Sequence, residues 1–239
     1  MTRLSVNINK IATLRNARGS NTPNLLEAAK AIENFGAEGI TIHPRPDERH
    51  ITKEDAYKLK SVVKTEYNIE GYPSPDFISM ACEIVPTQVT LVPDGPDALT
   101  SNAGWDCQKN MGFLKPIIHQ LQQAKIRVSI FIEPDSQQVI AANACGADRI
   151  ELYTESYAKK YPEDKKKAIE PYKLTAQKAL ELGVGINAGH DLNLDNLQYF
   201  IQEIPQTLEV SIGHALISDA LYFGLNSAVQ LYKSKINTI

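Results

Sequence analysis

The segment LLEAAKAIENFGAEGITIH, residues 25–43, contains a complete helix-to-strand unit that decides the fold. Gly36 stands where a left-handed glycine commonly closes a helix, and Gly39–His43 is a short apolar run typical of a buried strand. GADRI at 146–150 repeats the junction GAEGI at 36–40, which predicts that the unit recurs along the chain. The preceding helix is indicated by apolar residues spaced along one face, namely Leu25, Ala28, Ala29, Ile32 and Phe35.

Eight strands are predicted, and amphipathic segments separate them. Most of the runs are apolar enough to be buried on both faces, as the strands of a parallel sheet are. This alternation predicts an α/β chain forming a single (β/α)8 TIM barrel domain over residues 1–239. An open doubly wound sheet of eight strands also fits the periodicity. The predicted strands are Leu4–Ile8, Gly39–His43, Tyr67–Tyr72, Gln88–Val92, Arg127–Ile132, Arg149–Tyr153, Gly185–Ala188 and Thr207–Ile212.

Composition excludes several classes of function. The chain has 239 residues and a formal net charge of -3, so no broad basic surface predicts binding to nucleic acid or to an anionic membrane. The 3 cysteines have no CxxC spacing, which favours a reducing compartment. No apolar run is long enough for a membrane helix, so we expect a cytoplasmic protein. No Walker loop, dinucleotide-binding glycine fingerprint or HExxH zinc motif occurs.

Proton-handling side chains come at the ends of four predicted strands: His43, Glu70, Glu151 and His190. In a barrel, the carboxyl ends of the strands meet at one face, which is where barrel enzymes place their chemistry. Imidazoles and carboxylates that share such a mouth can exchange protons with a substrate near neutral pH. These four residues are therefore the candidate catalytic group. For Asn9 and Glu133, which also follow strands, we prefer a structural hydrogen bond to a loop.

The same face offers predicted anion sites. Gly213-His214 leads from the last strand into a helix, and helix N-termini attract phosphate. Long connections at 94–110 and 154–171 stand after strands four and six, where active-site covers usually lie. Lys165–Lys167 is predicted to be only a solvated helix face. Cations in the first two loops, some of them expected to be merely solvated, are Arg15, Arg18, Arg45 and Arg49.

Several sequence blocks resemble, in the right order, those of the pyridoxine 5'-phosphate synthase family. The opening block is VNINKIATLRNARG at 6–19, and the likeness spans nearly all 239 residues. The resemblance implies a barrel with extra helices, commonly assembled into a homo-octamer. The later blocks are GITIH at 39–43, RHIT at 49–52, LVP at 91–93, NAGH at 187–190 and IGHA at 212–215.

The resemblance also implies a reaction. Members condense 3-amino-2-oxopropyl phosphate with 1-deoxy-D-xylulose 5-phosphate to give pyridoxine 5'-phosphate, inorganic phosphate and water. The substrate amine attacks the sugar ketone to form an imine, and phosphate loss, water addition and ring closure follow. Neither a metal nor an organic cofactor is implied.

By position, the family's general bases match His43 and Glu70, its proton donor matches His190, and a carboxylate that stabilises transition-state charge matches Glu151. Imine formation and dehydration each need one proton removed and another supplied, which two bases and one acid can do in turn. The sugar phosphate would be held at Arg45, His50 and Thr100. The aminoketone phosphate would be held at Asn7, Arg18, His190, Gly213 and His214.

The chain departs from the family pattern at two places. Asn9-Lys10 stands where better-known members have Asp-His at the sugar-phosphate site, although a lysine can still bind phosphate. Asp191 follows His190 where many members have glycine. Its backbone can serve equally, but a carboxylate beside phosphate would repel it unless turned away. We expect substrate contacts at Asn9, Lys10 and Asp191.

Three other functions remain open on the sequence. Two histidines and two carboxylates at strand ends could ligate a divalent ion in a metal-dependent phosphosugar epimerase or isomerase. A Schiff-base aldolase needs a buried lysine at a strand end, for which Lys10 is the only nearby candidate. A non-catalytic barrel that binds phosphorylated ligands would keep the fold without turnover, but the chain retains all four acid–base residues.

Overall fold

The computed structural model describes residues 1–94 and 103–237, and its eight strands form a closed parallel barrel. Each strand pairs with the next, and β8 closes on β1 through the pairs Leu4–Val210 and Val6–Ile212. This closure confirms the barrel and contradicts the open sheet. All eight predicted strands are confirmed to within one residue at each end. They are β1 Arg3–Asn7, β2 Gly39–Ile42, β3 Glu66–Gly71, β4 Gln88–Leu91, β5 Arg127–Ile132, β6 Arg149–Tyr153, β7 Gly185–Gly189 and β8 Thr207–Ile212.

Helices surround the barrel, and the connections after β1, β6 and β8 each contain two of them. These additional elements confirm the extra helices that the resemblance implied. The helices of the described residues are α1 Asn9–Asn16, α2 Leu25–Asn34, α3 Lys53–Val62, α4 Pro75–Ile84, α5 Met111–Gln123, α6 Ser136–Cys145, α7 Glu155–Lys160, α8 Lys165–Leu182, α9 Leu197–Glu203, α10 His214–Phe223 and α11 Leu225–Ile236.

Local sequence explains where helices begin and end. Thr52 and Asp55 form a capping box at the start of α3, in which the Asp55 backbone N–H donates to Thr52 Oγ1 over 3.1 Å. Gly146 and Gly183 close α6 and α8 in the left-handed conformation, at φ of 91° and 72°. The repeated junction noted in the sequence is therefore a helix end followed directly by a strand.

The connection after β6 differs from the prediction of a long cover. Residues 154–171 are mostly helical, because Asp164 accepts hydrogen bonds from the backbone of Lys166 and Lys167 and so starts α8. Pro171 lies inside α8 rather than before it. Lys165–Lys167 is exposed, as predicted. The connection after β4 falls partly outside the described residues.

The strands are buried on both faces, but the inward face is polar. Outward side chains such as Ile40 and Ile69 pack beneath the helices, with no exposed surface. Inside the barrel, Asn68 Oδ1 accepts hydrogen bonds from Gln88 Nε2 and Thr90 Oγ1, both over 3.1 Å. Polar groups taken from water are tolerated when they bond to one another. This interior network leads towards the carboxyl ends of the strands.

Two further features match the composition. In the part of the chain that the structure describes, no helix is both long and apolar enough to span a membrane. Cys82, Cys107 and Cys145 all lie within that part, and each is a free thiol.

Candidate active site

A cavity of about 650 Å³ opens where the strands end. Most of the predicted site residues line it together, although they come from opposite ends of the sequence. This arrangement brings three of the four proton-handling side chains, His43, Glu70 and His190, and the candidate anion sites to one mouth. The predicted residues in its lining are Asn7, Asn9, Lys10, His43, Arg45, His50, Glu70, His190, Asp191, Gly213 and His214.

Of the predicted residues that the structure describes, two do not line the cavity. Glu151 lies fully buried on β6, where Thr90 Oγ1 donates to its Oε2 over 3.5 Å. Arg18 is exposed in the turn after α1. Thr100 falls outside the described residues.

His43 and Glu70 form the centre of the cavity wall. His43 Nδ1 lies 3.9 Å from Glu70 Oε2, and both side chains are buried. The backbone N–H of His43 donates to Asn9 Oδ1 over 3.0 Å, and the backbone N–H of Asn9 donates to Asn7 Oδ1 over 3.0 Å. Asn9 therefore has the structural role expected from sequence and also lines the cavity. The two asparagines fix the end of β2 against the end of β1.

Burial shifts the pKa values of the acidic side chains and of His43 away from their ordinary values. Burial raises the pKa of Glu70 well above its ordinary value, and the nearby Glu151 carboxylate raises it further. Burial also raises the pKa of Glu151 to about 7. Two carboxyl groups that share a low-dielectric site do not both ionise readily, so they hold a proton between them near neutral pH. Burial and the Arg45 cation lower the pKa of His43, which keeps its imidazole neutral.

His190 stands in a tight turn after β7. Its φ of 65° is in the left-handed region, and its ring lies 5.1 Å from that of Phe131 and 6.3 Å from that of Tyr153, between centroids. A Cβ on the preceding Gly189 would come within 2.7 Å of the Ser211 carbonyl, so only glycine fits there. Burial lowers the pKa of His190. Its buried Nδ1 finds no hydrogen-bond partner within the described ranges.

Cations gather on one side of the cavity. Arg45 is buried and forms an ion pair with Asp94, with 2.7 Å between Nη2 and Oδ2. Burial lowers the pKa of His50 to about 4, and the nearby cations Arg45, Lys10 and Arg49 lower it further. A histidine disfavoured in its charged form by surrounding positive charge marks a region that attracts anions.

One predicted cation has a structural role instead. Arg15 forms an ion pair with Asp55, with 2.6 Å between Nη1 and Oδ1, and does not line the cavity as described. Its guanidinium also donates to the His50 carbonyl over 3.2 Å. Arg15 thus fixes the loop after β2 rather than a phosphate.

A second candidate anion site lies where β8 meets α10. The helix begins at His214 after Gly213, and its first turn contains no acidic residue. A Cβ on Gly213 would come within 3.0 Å of Asn7 Cβ, so glycine is needed for the close approach of these two strand ends. The first backbone amides of a helix have no helical partner, and Gly213 and His214 at the start of α10 line the cavity.

Sequence reasoning missed some of the cavity lining. Ser211 was detectable, because it points inward two residues after Glu209 on β8. Tyr153 is the last residue of β6 and Glu155 follows the strand, and neither belongs to a sequence motif. Thr13 was also missed, and Arg49 was named only among the loop cations; both line the cavity. Glu133, for which a structural role was preferred, accepts a hydrogen bond from the Gly104 backbone over 3.1 Å.

The arrangement does not resemble a metal centre. Among residues 1–94 and 103–237, no group of three or more His, Cys, Asp or Glu side chains is placed to hold a metal ion. Arg45 and Lys10 also stand where a divalent cation would be repelled.

A closed (β/α)8 barrel with buried imidazoles, paired carboxyls and two candidate anion sites at its strand ends is the arrangement expected of an enzyme that acts on small phosphorylated compounds. The family described as "Pyridoxal phosphate biosynthesis protein PdxJ" matches residues 4–238. The chain belongs to the PdxJ family.

Curated relatives are similar over almost their whole length. The chain is 58% identical to the pyridoxine 5'-phosphate synthase of Flavobacterium johnsoniae over 236 residues, covering 99% of this chain and 100% of the relative. It is 59% identical to that of Cytophaga hutchinsonii over 232 residues, covering 97% and 98%. The enzyme of Bacteroides fragilis is 56% identical over 234 residues, covering 98% and 99%.

Solved structures share the fold at low sequence identity. Phosphoribosylanthranilate isomerase from Thermotoga maritima has a TM-score of 0.63 at 14% identity, with 100% of both chains covered. Tryptophan synthase from Mycobacterium tuberculosis has a TM-score of 0.67 at 10% identity, with 100% of this chain and 93% of that chain covered. At these identities the likeness concerns the barrel alone.

Proposed function

We propose that this chain is a pyridoxine 5'-phosphate synthase that condenses 3-amino-2-oxopropyl phosphate with 1-deoxy-D-xylulose 5-phosphate. The products are pyridoxine 5'-phosphate, inorganic phosphate and water, and neither a metal nor an organic cofactor takes part. The observation that carries the proposal is a cavity lined by His43, Glu70 and His190 together with two candidate anion sites, in a chain of the PdxJ family. Both substrates bear a phosphate, so two such sites are needed.

The proton transfers are assigned to the buried groups. His43 and Glu70 act as general bases, His190 supplies a proton, and Glu151 stabilises charge in the transition state. Imine formation and the later dehydrations need protons moved in both directions. The proximity of His43 Nδ1 to Glu70 Oε2, 3.9 Å, allows one proton to pass between them with a small displacement.

The negative charge of the bound substrate changes the pKa of His190. In the protein's own field, burial lowers the pKa of His190 and makes it neutral, which does not suit a proton donor. A phosphate dianion nearby favours the charged imidazolium and raises that pKa. Substrate binding therefore favours protonation of His190, which later donates that proton to the substrate.

The two phosphates occupy opposite sides of the cavity. The sugar phosphate binds at Arg45 and His50, beside Lys10 and Asn9. The aminoketone phosphate binds at the start of α10, where Gly213 and His214 meet Asn7. Arg18 and Thr100 remain expected phosphate contacts.

The assembly and location are part of the same proposal. Residues 1–239 form one catalytic domain, the chain assembles into a homo-octamer, and the protein is cytoplasmic. The family resemblance supports the octamer. Light scattering on the purified protein measures its mass and would exclude a monomer or dimer if the octamer is correct.

The metal-dependent epimerase or isomerase is the alternative with the clearest test. A chelator that strips divalent ions is expected to leave the synthase fully active. Loss of activity with recovery on adding back a single metal would favour the alternative instead.

The direct test is to incubate the purified protein with both substrates and follow pyridoxine 5'-phosphate by its absorbance. We expect product only when both substrates are present, together with one inorganic phosphate released per ring formed. A protein that binds both phosphates but forms no ring would instead be a non-catalytic binding barrel.

A further inference from the structure

A small apolar cluster lies inside the barrel, apart from the main core. It consists of Val92, Phe131 and Tyr153, which are 0%, 0% and 7% exposed. Phe131 on β5 is paired with Glu151 of β6 in the sheet, and Tyr153 stands two residues beyond Glu151, so these side chains share the inward face. The cluster therefore borders the cavity rather than the helices outside the barrel.

The imidazole of His190 packs against two rings of this cluster. The Phe131 ring lies 5.1 Å from the imidazole, between centroids, with 55° between the two planes. The Tyr153 ring stands edge-on to the imidazole at 6.3 Å and 87°, and it also contacts Phe131 at 5.1 Å. Aromatic rings prefer such tilted and edge-to-face arrangements. The orientation of the imidazole is therefore set from β5 and β6, although His190 itself follows β7.

The main chain fixes this contact from both sides. The hydroxyl of Thr154, which follows Tyr153, donates to the carbonyl of Gly189, which precedes His190. The backbone N–H of His190 donates to the Ser211 carbonyl over 3.3 Å. A functional histidine is commonly oriented by a hydrogen bond to one of its ring nitrogens. The buried Nδ1 of His190 has no such partner within the described ranges, so ring packing takes over that task.

An aromatic ring acts differently on the two protonation states of a neighbouring imidazole. Burial among apolar groups disfavours the imidazolium and lowers the pKa of His190. The negative face of a ring instead attracts a cation within about 6 Å of its centroid, and the Phe131 ring is within that distance. Phe131 therefore offsets part of the cost of charging His190.

Charged and titratable groups also face His190 from other elements. Asp94, after β4, raises the pKa of His190, whereas Arg45, after β2, lowers it. These two side chains form an ion pair, so their effects oppose each other. His43 and Tyr153 are neutral neighbours, because burial lowers the pKa of His43 and raises that of Tyr153. The ring contact is thus not overwhelmed by a single nearby charge.

We propose that Phe131, supported by Tyr153, is a positioning residue for the proton donor, and that its ring stabilises the imidazolium that His190 forms when a phosphorylated substrate binds. This inference rests on the proposed function, in which His190 donates a proton. Phe131 has no exposed surface and does not line the cavity as described. It therefore acts through His190 and not on the substrate.

The first test is the pH profile of kcat for Phe131→Leu. Leucine keeps the position apolar and buried but has no ring face. The base-side limb of kcat, where a proton donor loses its proton, should therefore move to lower pH by about 0.5–1 pH unit. The KM for each substrate should stay within about two-fold, because the side chain does not touch the substrate.

The second test measures the pKa of His190 without turnover. Deuterium exchange at the imidazole Cε1, followed by mass spectrometry over a range of pH, gives this pKa with inorganic phosphate as the probe ligand. Phe131→Leu should lower it, in agreement with the kcat profile. A fluorinated phenylalanine at position 131 keeps the shape and burial but weakens the negative ring face, so it should shift the pKa in the same direction. This variant decides the question if Phe131→Leu folds poorly.

Phe200→Leu is the matched control. Phe200 is also fully buried and contacts two rings, those of Tyr157 and Tyr172 at 5.3 and 5.8 Å, but it does not line the cavity as described. Its loss should lower the melting temperature and leave the kcat limb and the pKa of His190 in place. Wild-type values of both in the folded Phe131 variants, or an equal loss of kcat at every pH, overturn the inference. A wild-type protein that forms no product overturns the proposed function, whereas the exchange measurement still tests the ring contact.

Discussion

His43 Nδ1 lies 3.9 Å from Glu70 Oε2, although His43 directly follows β2 and Glu70 lies on β3; both residues are almost completely buried. Asn7 Nδ2 reaches the same Glu70 oxygen over 3.5 Å. The 3.9 Å between His43 Nδ1 and Glu70 Oε2 is too long for a hydrogen bond, but it is short enough for the two charges to interact. A small movement on substrate binding would join them, which is the geometry expected of side chains that exchange a proton.

Glu70→Gln is therefore expected to abolish turnover while the barrel stays folded. The amide has nearly the same shape but cannot accept a proton, and loss of a general base typically slows a reaction by about 10²–10⁴-fold. The measurement is kcat, with the melting temperature recorded in parallel. Glu83→Gln, an exposed carboxylate on α4, controls for loss of charge alone. A folded Glu70→Gln enzyme with normal kcat would remove Glu70 from the mechanism.

The barrel was predictable because its strands are continuous and apolar in sequence. The end points of β5, β6 and β8 match the predicted ones, since each strand lies between clear helix-ending and helix-starting signals. The connection after β6 was not predictable as helical. Its lysines and Pro171 suggested a loop, but capping by Asp164 and burial of Ile169 and Tyr172 on α8 outweigh those local signals.

The site was predictable only in part, for a geometric reason. Strand ends of a barrel converge, so the sequence alone was enough to group His43, Glu70 and His190. Pairing between loops is not encoded at any fixed spacing. The ion pair of Arg45 with Asp94 and the ring contact of Phe131 with His190 became visible only when distant segments were placed together.

Glu151 is expected to make stability depend on pH. Burial raises its pKa from 4.5 to about 7, so between these values the folded protein keeps a proton that the unfolded chain releases. The carboxyl is thus well tolerated at low pH and increasingly destabilising as the pH rises towards 7. Glu151→Gln removes the charge. The melting temperature of the variant minus that of wild type should therefore be about 5 °C larger at pH 8 than at pH 5.

Thermal unfolding of both proteins at the two pH values measures this gain. Glu163→Gln, at an exposed carboxylate, should show no such difference between pH 5 and pH 8. A Glu151→Gln protein whose advantage is the same at both pH values would mean that Glu151 is already ionised in the folded state at low pH.

Lys10 is expected to hold the sugar phosphate in place of the histidine of better-known family members. It lines the cavity, and its positive charge contributes to the low pKa of His50, so the two side chains are neighbours. Lys10→Met should raise the KM for 1-deoxy-D-xylulose 5-phosphate by about three- to ten-fold, as loss of one charged contact does. The KM for the aminoketone phosphate should change little.

Ionic strength adds a second readout for Lys10. Salt screens exposed charges, so the difference between wild type and Lys10→Met should shrink as salt is raised. Lys10→Arg keeps the charge and is expected to keep the wild-type KM. A Lys10→Met enzyme with the wild-type KM for the sugar phosphate would show that Arg45 and His50 bind this phosphate without Lys10.

The buried pair of Arg45 and Asp94 should be stabilising only as a pair. Their side chains are 5% and 2% exposed, with 2.7 Å between Nη2 and Oδ2. Removing one partner deprives the other buried side chain of this ion pair, which costs about 3–5 kcal/mol. Arg45→Met is therefore expected to lower the melting temperature by about 10 °C. The double variant Arg45→Met/Asp94→Asn removes both charges and should recover more than half of that loss.

Arg49→Met is the control, because Arg49 and Asp47 form an ion pair that is 28% and 49% exposed, and such surface pairs contribute about 0–1 kcal/mol. Equal melting temperatures for the single and double variants at position 45 would instead mean that Asp94 is stabilised by groups other than Arg45.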